Sequence, residues 1–148
     1  MSEEKPTQPR RAPEIPADMN AFNRKLIEEF RANKGALSGQ MAGRKLMLLT
    51  TTGARSGEPR TVVLGFGKDG ESFVIVASNN AAPSDPAWYR NLQSRPQATV
   101  EVGADKIKVR ARTATGPERE RVKTALPYFE GQQQKTSREL PLVILEPA

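Results

Sequence analysis

The chain has 148 residues, enough for one domain with a single buried core, and a formal charge of +6. It contains neither cysteine nor histidine, which excludes disulfides, thiolate nucleophiles, Cys/His zinc sites and every Ser-His-Asp triad. A catalyst drawn from this alphabet uses carboxylates, lysine or tyrosine, or takes its chemistry from an organic cofactor that the protein holds and orients.

Residues 1–16, MSEEKPTQPRRAPEIP, hold four prolines and few apolar side chains. They read as a flexible extension ahead of one domain at 17–148. Within them Glu3, Glu4 and Glu14 cancel Lys5, Arg10 and Arg11, so the domain carries the whole positive excess. That excess favours an anionic partner: nucleic acid, acidic lipid, or a phosphorylated or polycarboxylate small molecule. The segment is too polar for a secretory signal, and no apolar run nears the roughly 18 residues of a membrane span, so a cytoplasmic location is expected. From Asp18 as N-cap, Met19, Phe22, Leu26, Ile27 and Phe30 repeat at helical spacing up to Gly35. The expected role of this helix is to pack on the domain. Its Arg24, Lys25, Arg31 and Lys34 offer an acidic membrane surface a weaker contact, diluted by Glu28 and Glu29.

KLMLLTTT (45–52) and RTVVLGF (60–66) read as buried strands, and GKDG (67–70) as a hairpin leading into a third strand, ESFVIVAS (71–78). DPAWYRNLQSRP predicts a short helix with Asp85 as N-cap and Pro86 as first helical residue, closing before Pro96. QATVEVG (97–103) and KIKVRARTA (106–114) alternate about a turn at Gly103 to Asp105 and form a second hairpin. Thr115 with Glu118 predicts a capping box for a helix to about Leu126, and LPLVILEP (140–147) ends the chain as a sixth strand. The fold class is mainly β with helices (α+β): a small split β-barrel of about six mostly antiparallel strands.

Two stretches carry chemistry. TTTGARSGEPR (50–60) lacks the ending of a P-loop, but Gly53 and Gly57 let backbone amides turn inward as an anion nest. Ser56 adds a hydroxyl, and Arg55 and Arg60 add planar forks for phosphate or carboxylate. The alternative is a polar hairpin with solvated arginines. In SNNAAPSDPAWYRNL, Ser78, Asn79 and Asn80 leave a strand where a helix brings Trp88 and Asn91, a combination able to hold a flat ring. Equally, Trp88 serves as a core anchor. Phe66 and Phe73 flank GKDG and are expected in the core; were they exposed, they would stack on nucleic-acid bases.

LLTTTGARSGEPR with its hairpin, VIVASNNAAPSDPAWYRNL, VRARTATGPERE and the closing LPLVILEP together resemble, over about residues 40–147, the deazaflavin-dependent nitroreductase family of actinobacteria. The resemblance implies a split barrel related to flavin mononucleotide (FMN)-binding oxidoreductases, with reduced coenzyme F420 as hydride donor and FMN as the alternative cofactor. The F420 phosphodiester and oligoglutamate tail suit a basic body. Carried over by position, Arg55, Ser56 and Arg60 hold the phosphate and tail. Thr61, Val62, Val63, Leu64 and Gly65 run beside the ring, with Ala77, Ser78 and Asn79 opposite and Ala87, Trp88 and Asn91 closing the site. Leu126, Phe129 and Gln132 stand where nitroimidazole-reducing members carry tyrosines, with Tyr128 out of register. Further departures are Ala54 for a basic residue, Val63 for proline and Asn80 for glycine. The implied acceptor is a small electron-poor compound such as a quinone or nitro compound, and the departures weigh against nitroimidazoles. No side-chain nucleophile or metal is needed; a relay through Ser78 or Tyr89 is one route for a proton. A carrier without catalysis and a nucleic-acid-binding barrel are the alternatives, and a homodimer is left open.

Overall fold

The structure, a computed structural model, describes residues 17–37, 45–79 and 83–148, with the backbone alone for 17–22. The expected extension at 1–16 and the departure at Asn80 lie outside the described residues. The elements run α1 (Ala17–Ala32), β1 (Leu46–Thr52), β2 (Pro59–Gly65), β3 (Gly67–Asp69), β4 (Ser72–Val76), α2 (Ala87–Ser94), β5 (Gln97–Val102), β6 (Asp105–Thr113), α3 (Gly116–Val122), α4 (Phe129–Gln133) and β7 (Leu142–Pro147), with a 3-10 turn at Lys123–Ala125.

The seven strands form one sheet in the order β2-β1-β5-β6-β7-β4-β3, every described pairing antiparallel. β2 and β3 are its two edges, yet Phe66 alone separates them in the chain. Seven flat strands at about 4.8 Å spacing hold their edges about 29 Å apart, and the two steps from Gly65 through Phe66 to Gly67 reach about 7 Å at most. The sheet therefore curls until its edges meet, giving a split barrel closed by the chain at Phe66. The sequence predicted six strands; the seventh is β3, three residues of GKDG paired with β4 across a turn at Gly70 and Glu71. Three residues are too few to show a period of two.

Alternate residues of the strands fill the barrel, with Met47, Leu49, Ile75, Val100 and Leu145 fully buried and Trp88, Tyr89 and Leu92 of α2 plugging one end. On the outer wall, α3, the 3-10 turn and α4 cover β4 and β7, so Val74, Val76, Leu142 and Ile144 are buried as well. Burial on both faces is why FVIV and LVIL read as unbroken apolar runs. β6 instead shows Lys106, Lys108, Arg110 and Arg112 to solvent and alternates. Phe66 and Phe73 meet edge to face at 5.7 Å inside the core. Neither stands out from the surface as a platform for nucleic-acid bases, although Phe66 reaches the lining of a cleft where the sheet edges meet.

α1 lays Phe30 on Leu48, with Leu26, Ile27 and Val63 around it. Arg31 adds a bidentate bond, Nε to Glu101 Oε1 at 2.9 Å and Nη2 to Oε2 at 2.7 Å, which holds the Glu101 carboxyl below the usual carboxylate range. A lowered folded pKa stabilises fully above the unfolded value, about 4.3; that stability is lost as pH falls through the folded one. The partly exposed pair contributes about 0.5–1 kcal/mol. Glu101→Gln is therefore expected to melt below wild type at pH 7 and level with it near pH 3 by thermal denaturation, and an equal gap at both pH values would remove this role.

Three helix starts differ from expectation. α1 begins at Ala17, ahead of Asp18. In α2 the N-cap is Pro86, extended at φ −69° and ψ 156°, because Asp85 is drawn to Arg138 at 2.7 Å. Thr115 does occupy the N-cap of α3, but its side chain makes no cap bond, and Glu118 turns to Arg112 instead of closing the box.

Candidate active site

The seam where the sheet edges meet opens into a cleft of about 700 Å³. One wall is the end of β2, Val63 to Gly65, with Lys45 and Leu46; the other brings Ser78 from beyond β4 and Tyr128 and Gln132 from α4 and its approach. Two glycines let these pieces come together. A Cβ on Gly67 would stand 2.2 Å from the Ala125 carbonyl oxygen, and one on Gly65 2.8 Å from Tyr128 Oη. The chain before α4 thus crosses directly over the seam and sets the Tyr128 hydroxyl on the β2 backbone. Among the described residues β2 is paired only with β1, so the backbone groups of its other edge face the seam without a ladder partner there.

Burial pushes the Tyr128 phenol pKa up, which keeps it a neutral hydrogen-bond donor well beyond neutral pH. Gln132 Oε1 is buried and has no hydrogen-bond partner among the described residues, an acceptor poised for a donor from a ligand. The Lys45 ammonium stands 5.7 Å from the centre of the Phe66 ring. Among the described residues no group of carboxylates is placed to hold a metal ion.

Of the residues expected at the site, the cleft gathers Val63, Leu64, Gly65, Ser78 and Gln132. Val62 packs against the barrel core, and Ala77 is fully buried in it. The Thr61 hydroxyl lies 2.7 Å from that of Thr50. Asn79 adopts φ +50° and donates to the Ser84 carbonyl at 3.0 Å; Ala87 is exposed on α2. Trp88 is a core anchor at 7% exposure. Tyr89 hydrogen-bonds to Thr113 Oγ1 at 2.7 Å and lines a smaller cavity with Leu92 and Gln93, so the pair proposed for proton relay does not share the cleft. Leu126 and Phe129, expected in the acceptor pocket, are buried under α3 at 2% and 3% exposure. Leu126 lies in the extended link after the 3-10 turn and Phe129 opens α4. Tyr128, set aside as out of register, lines the cleft in their place, and Lys45 was missed because nothing in its local sequence marks it.

At the far end of β2, about 17 Å away by strand rise, lies the glycine-arginine turn. The amides of Gly53 and Gly57 do not turn inward as a nest. Gly53 N donates to Glu58 O at 2.8 Å and Gly57 N to Gly53 O at 2.9 Å. Glu58 N donates to Ser56 Oγ at 3.1 Å, and Ala54 N to Asn91 Oδ1 at 2.9 Å. Asn91 also donates to Thr51 Oγ1 at 3.1 Å, so its buried amide is spent tying α2 to the turn. The tight turn, with Gly57 at φ +73°, thus leaves the amides of Arg55 and Ser56 without a hydrogen bond among the described residues. Arg55 and Arg60 are exposed, and neither makes a hydrogen bond or ion pair among the described residues.

A split barrel with a cleft at its seam and exposed arginines at the other end of one edge strand has the room and the polar groups of a protein that binds an anionic small molecule. A family model for F420H(2)-dependent quinone reductases matches residues 22–147, and the chain belongs to that family. Its chemistry is reduction by coenzyme F420. An F420H(2)-dependent quinone reductase of Mycobacterium tuberculosis is 32% identical over 124 residues, 78% of this chain and 83% of the relative. Among solved structures, an F420-H2 dependent reductase is 35% identical with a TM-score of 0.63, covering 70% of this chain and 95% of its own. Another, described as a domain-swapped dimer, is 31% identical with a TM-score of 0.65, covering 88% and 98%.

Proposed function

We propose that the seam cleft receives the deazaflavin ring and a quinone together, and that Arg55 and Arg60 hold the anionic tail of the cofactor. The observation that carries this reading is the buried, unpartnered Gln132 Oε1 in a cleft of about 700 Å³, a volume within the range of small-molecule sites. The residues fit the group. The free β2 edge offers backbone amides and carbonyls to a polar ring edge, Gln132 offers an acceptor, and apolar Val63, Leu64 and Phe66 supply a flat wall.

When bound, the reduced cofactor supplies a hydride, and a further proton completes the conversion of quinone to hydroquinone. The protein's own task is alignment and water exclusion, followed by stabilisation of the negative charge that grows on the quinone oxygen. Tyr128 is the donor suited to that oxygen, neutral and seated on Gly65. The Lys45 ammonium adds positive charge at the same cleft. Ser78 is a second hydroxyl donor there.

The test is anaerobic mixing of the protein, reduced F420 and a naphthoquinone, monitored by recovery of the oxidised cofactor's absorbance. One F420 should be oxidised per hydroquinone formed, with a nitroimidazole turned over far more slowly; no turnover with any quinone would reject the reading. Tyr128→Phe is expected to lower kcat by about tenfold to a hundredfold, the scale for one donor to a developing oxyanion, with cofactor affinity unchanged. In wild type the Tyr128 proton should stay in place past the ordinary phenol value of about 10, so the rate should not fall on its account below that pH. The neighbour described as a domain-swapped dimer supports a homodimer as part of this proposal, and sedimentation of a monomer at micromolar concentration would remove that part.

A further inference from the structure

Arg138 lies between α4 and β7 with its side chain only 19% exposed. Its Nη1 donates to Asp85 Oδ1 at 2.7 Å. Its Nη2 lies 3.2 Å from the Ala77 carbonyl oxygen, 3.1 Å from that of Ser78 and 3.2 Å from that of Ser84. Ala77 and Ser78 belong to the strand end that carries Ser78 into the cleft, and Ser84 and Asp85 lead into α2. The backbone of Arg138 is held from α4: Gln133 Nε2 donates to the Arg138 carbonyl at 2.8 Å, and Leu140 N donates to Gln133 Oε1 at 3.0 Å. Gln133 follows Gln132 on α4, which brings Gln132 to the same wall of the cleft as Ser78. One residue outside the cleft therefore joins the two segments, strand end and helix, that make up this wall.

We propose that Arg138 is a positioning residue that fixes Ser78 relative to Tyr128 and Gln132 within one wall of the cleft, and so the fit of ring and acceptor against that wall. The inference rests on the cleft being the cofactor site. A bridge of this kind needs the planar fork of a guanidinium, which reaches a carboxylate with one nitrogen and carbonyls with the other. A lysine ammonium is a single point at the end of a flexible stem. Geometry rather than charge is what the site uses, so Arg138→Lys should fail where Asp85→Asn, which keeps an acceptor for Nη1 and leaves the three carbonyls in place, should pass.

The experiment compares Arg138→Lys, Arg138→Ala and Asp85→Asn with wild type by thermal melting, by titration with oxidised F420 followed through Trp88 fluorescence, and by hydrogen exchange of the cofactor-free protein. In both Arg138 variants the Kd should rise about tenfold or more, the scale for reacting parts held slightly out of place. Exchange should quicken at residues 77–79 and 128–133 together. Asp85→Asn should stay within about threefold of wild type in Kd. A folded Arg138→Lys with wild-type Kd overturns the proposal, as does faster exchange confined to the segment around Arg138. So does the opposite order, with Asp85→Asn impaired and Arg138→Lys intact. If Arg138→Ala does not fold, Arg138→Lys decides. If wild type itself fails to bind F420, the reading of the cleft falls, and the exchange measurement still decides whether Arg138 joins the two segments of that wall.

Discussion

Replacing Arg55 and Arg60 together by alanine should raise the Kd for oxidised coenzyme F420 by about a hundredfold, which corresponds to roughly 2.7 kcal/mol. A charge-assisted hydrogen bond is worth roughly 1.5–3 kcal/mol, and exposure to solvent and salt trims each arginine toward the lower end. The amides of Gly53, Ala54, Gly57 and Glu58 are all spent inside the protein, and those of Arg55 and Ser56 make no hydrogen bond among the described residues. The proposed tail contact therefore rests chiefly on the two guanidinium forks, with these two amides beside them. Two controls separate this from general damage. Wild-type affinity should weaken with added salt and that of the double variant much less; a tail-less deazaflavin should bind both proteins alike. Equal Kd values for the complete cofactor would place the tail elsewhere.

Gly67→Ala is expected to give the largest loss of stability among single small substitutions. Its new Cβ would stand 2.2 Å from the carbonyl oxygen of Ala125, 2.8 Å from the carbonyl carbon and 2.9 Å from the Ala125 Cβ. Two of these are backbone atoms, so no rotamer change relieves the clash, and the 3-10 turn must lift by about an ångström. Overpacking of this kind costs roughly 1–3 kcal/mol, and at about 2–4 °C per kcal/mol for a chain near this size the upper half of that range lowers Tm by about 5–10 °C. Lifting the turn also carries Tyr128 off Gly65, so the quinone KM should rise in the same variant. Gly131→Ala is the contrast. It lies in α4 with nothing within 4 Å of its built Cβ, and alanine in a helix is favoured by about 0.5–1 kcal/mol. Equal melting temperatures for Gly67→Ala and wild type would show that the seam is not packed as described.

Where a strand is buried on both faces or alternates cleanly, local composition marked it: VIV before Ala77, LVIL before Glu146, and the β5–β6 hairpin about Gly103. Where a position has two physically acceptable partners, local composition could not choose. Asp85 had the chemistry of an N-cap and went to Arg138, which is 53 residues away. Glu118 had the spacing of a capping box and went to Arg112. Asn91 had the groups of a ring-edge reader and went to Ala54 N and Thr51. In each case the local bond competed with a tertiary one, and the tertiary partner was a guanidinium, or a backbone amide and hydroxyl brought close by the fold. Tyr128 replaces Leu126 and Phe129 because these three residues straddle a break, with Leu126 extended and α4 starting only at Phe129, so continuous helix spacing could not say which of them the fold buries.

From the sequence alone came the absence of histidine and cysteine, hence a borrowed cofactor for any redox chemistry, together with most strands, the basic turn and a family resemblance that the matched family bears out. Those follow from composition, period and motif, which are properties of neighbours in the chain. Only the tertiary structure decided that the edges β2 and β3 meet at Phe66, that the cleft opens there, and that Tyr128, Gln132 and Ser78 face it together. That decision depends on how seven strands curl and on which glycines let backbone approach backbone, contacts between residues tens of positions apart that leave no periodic trace in the sequence.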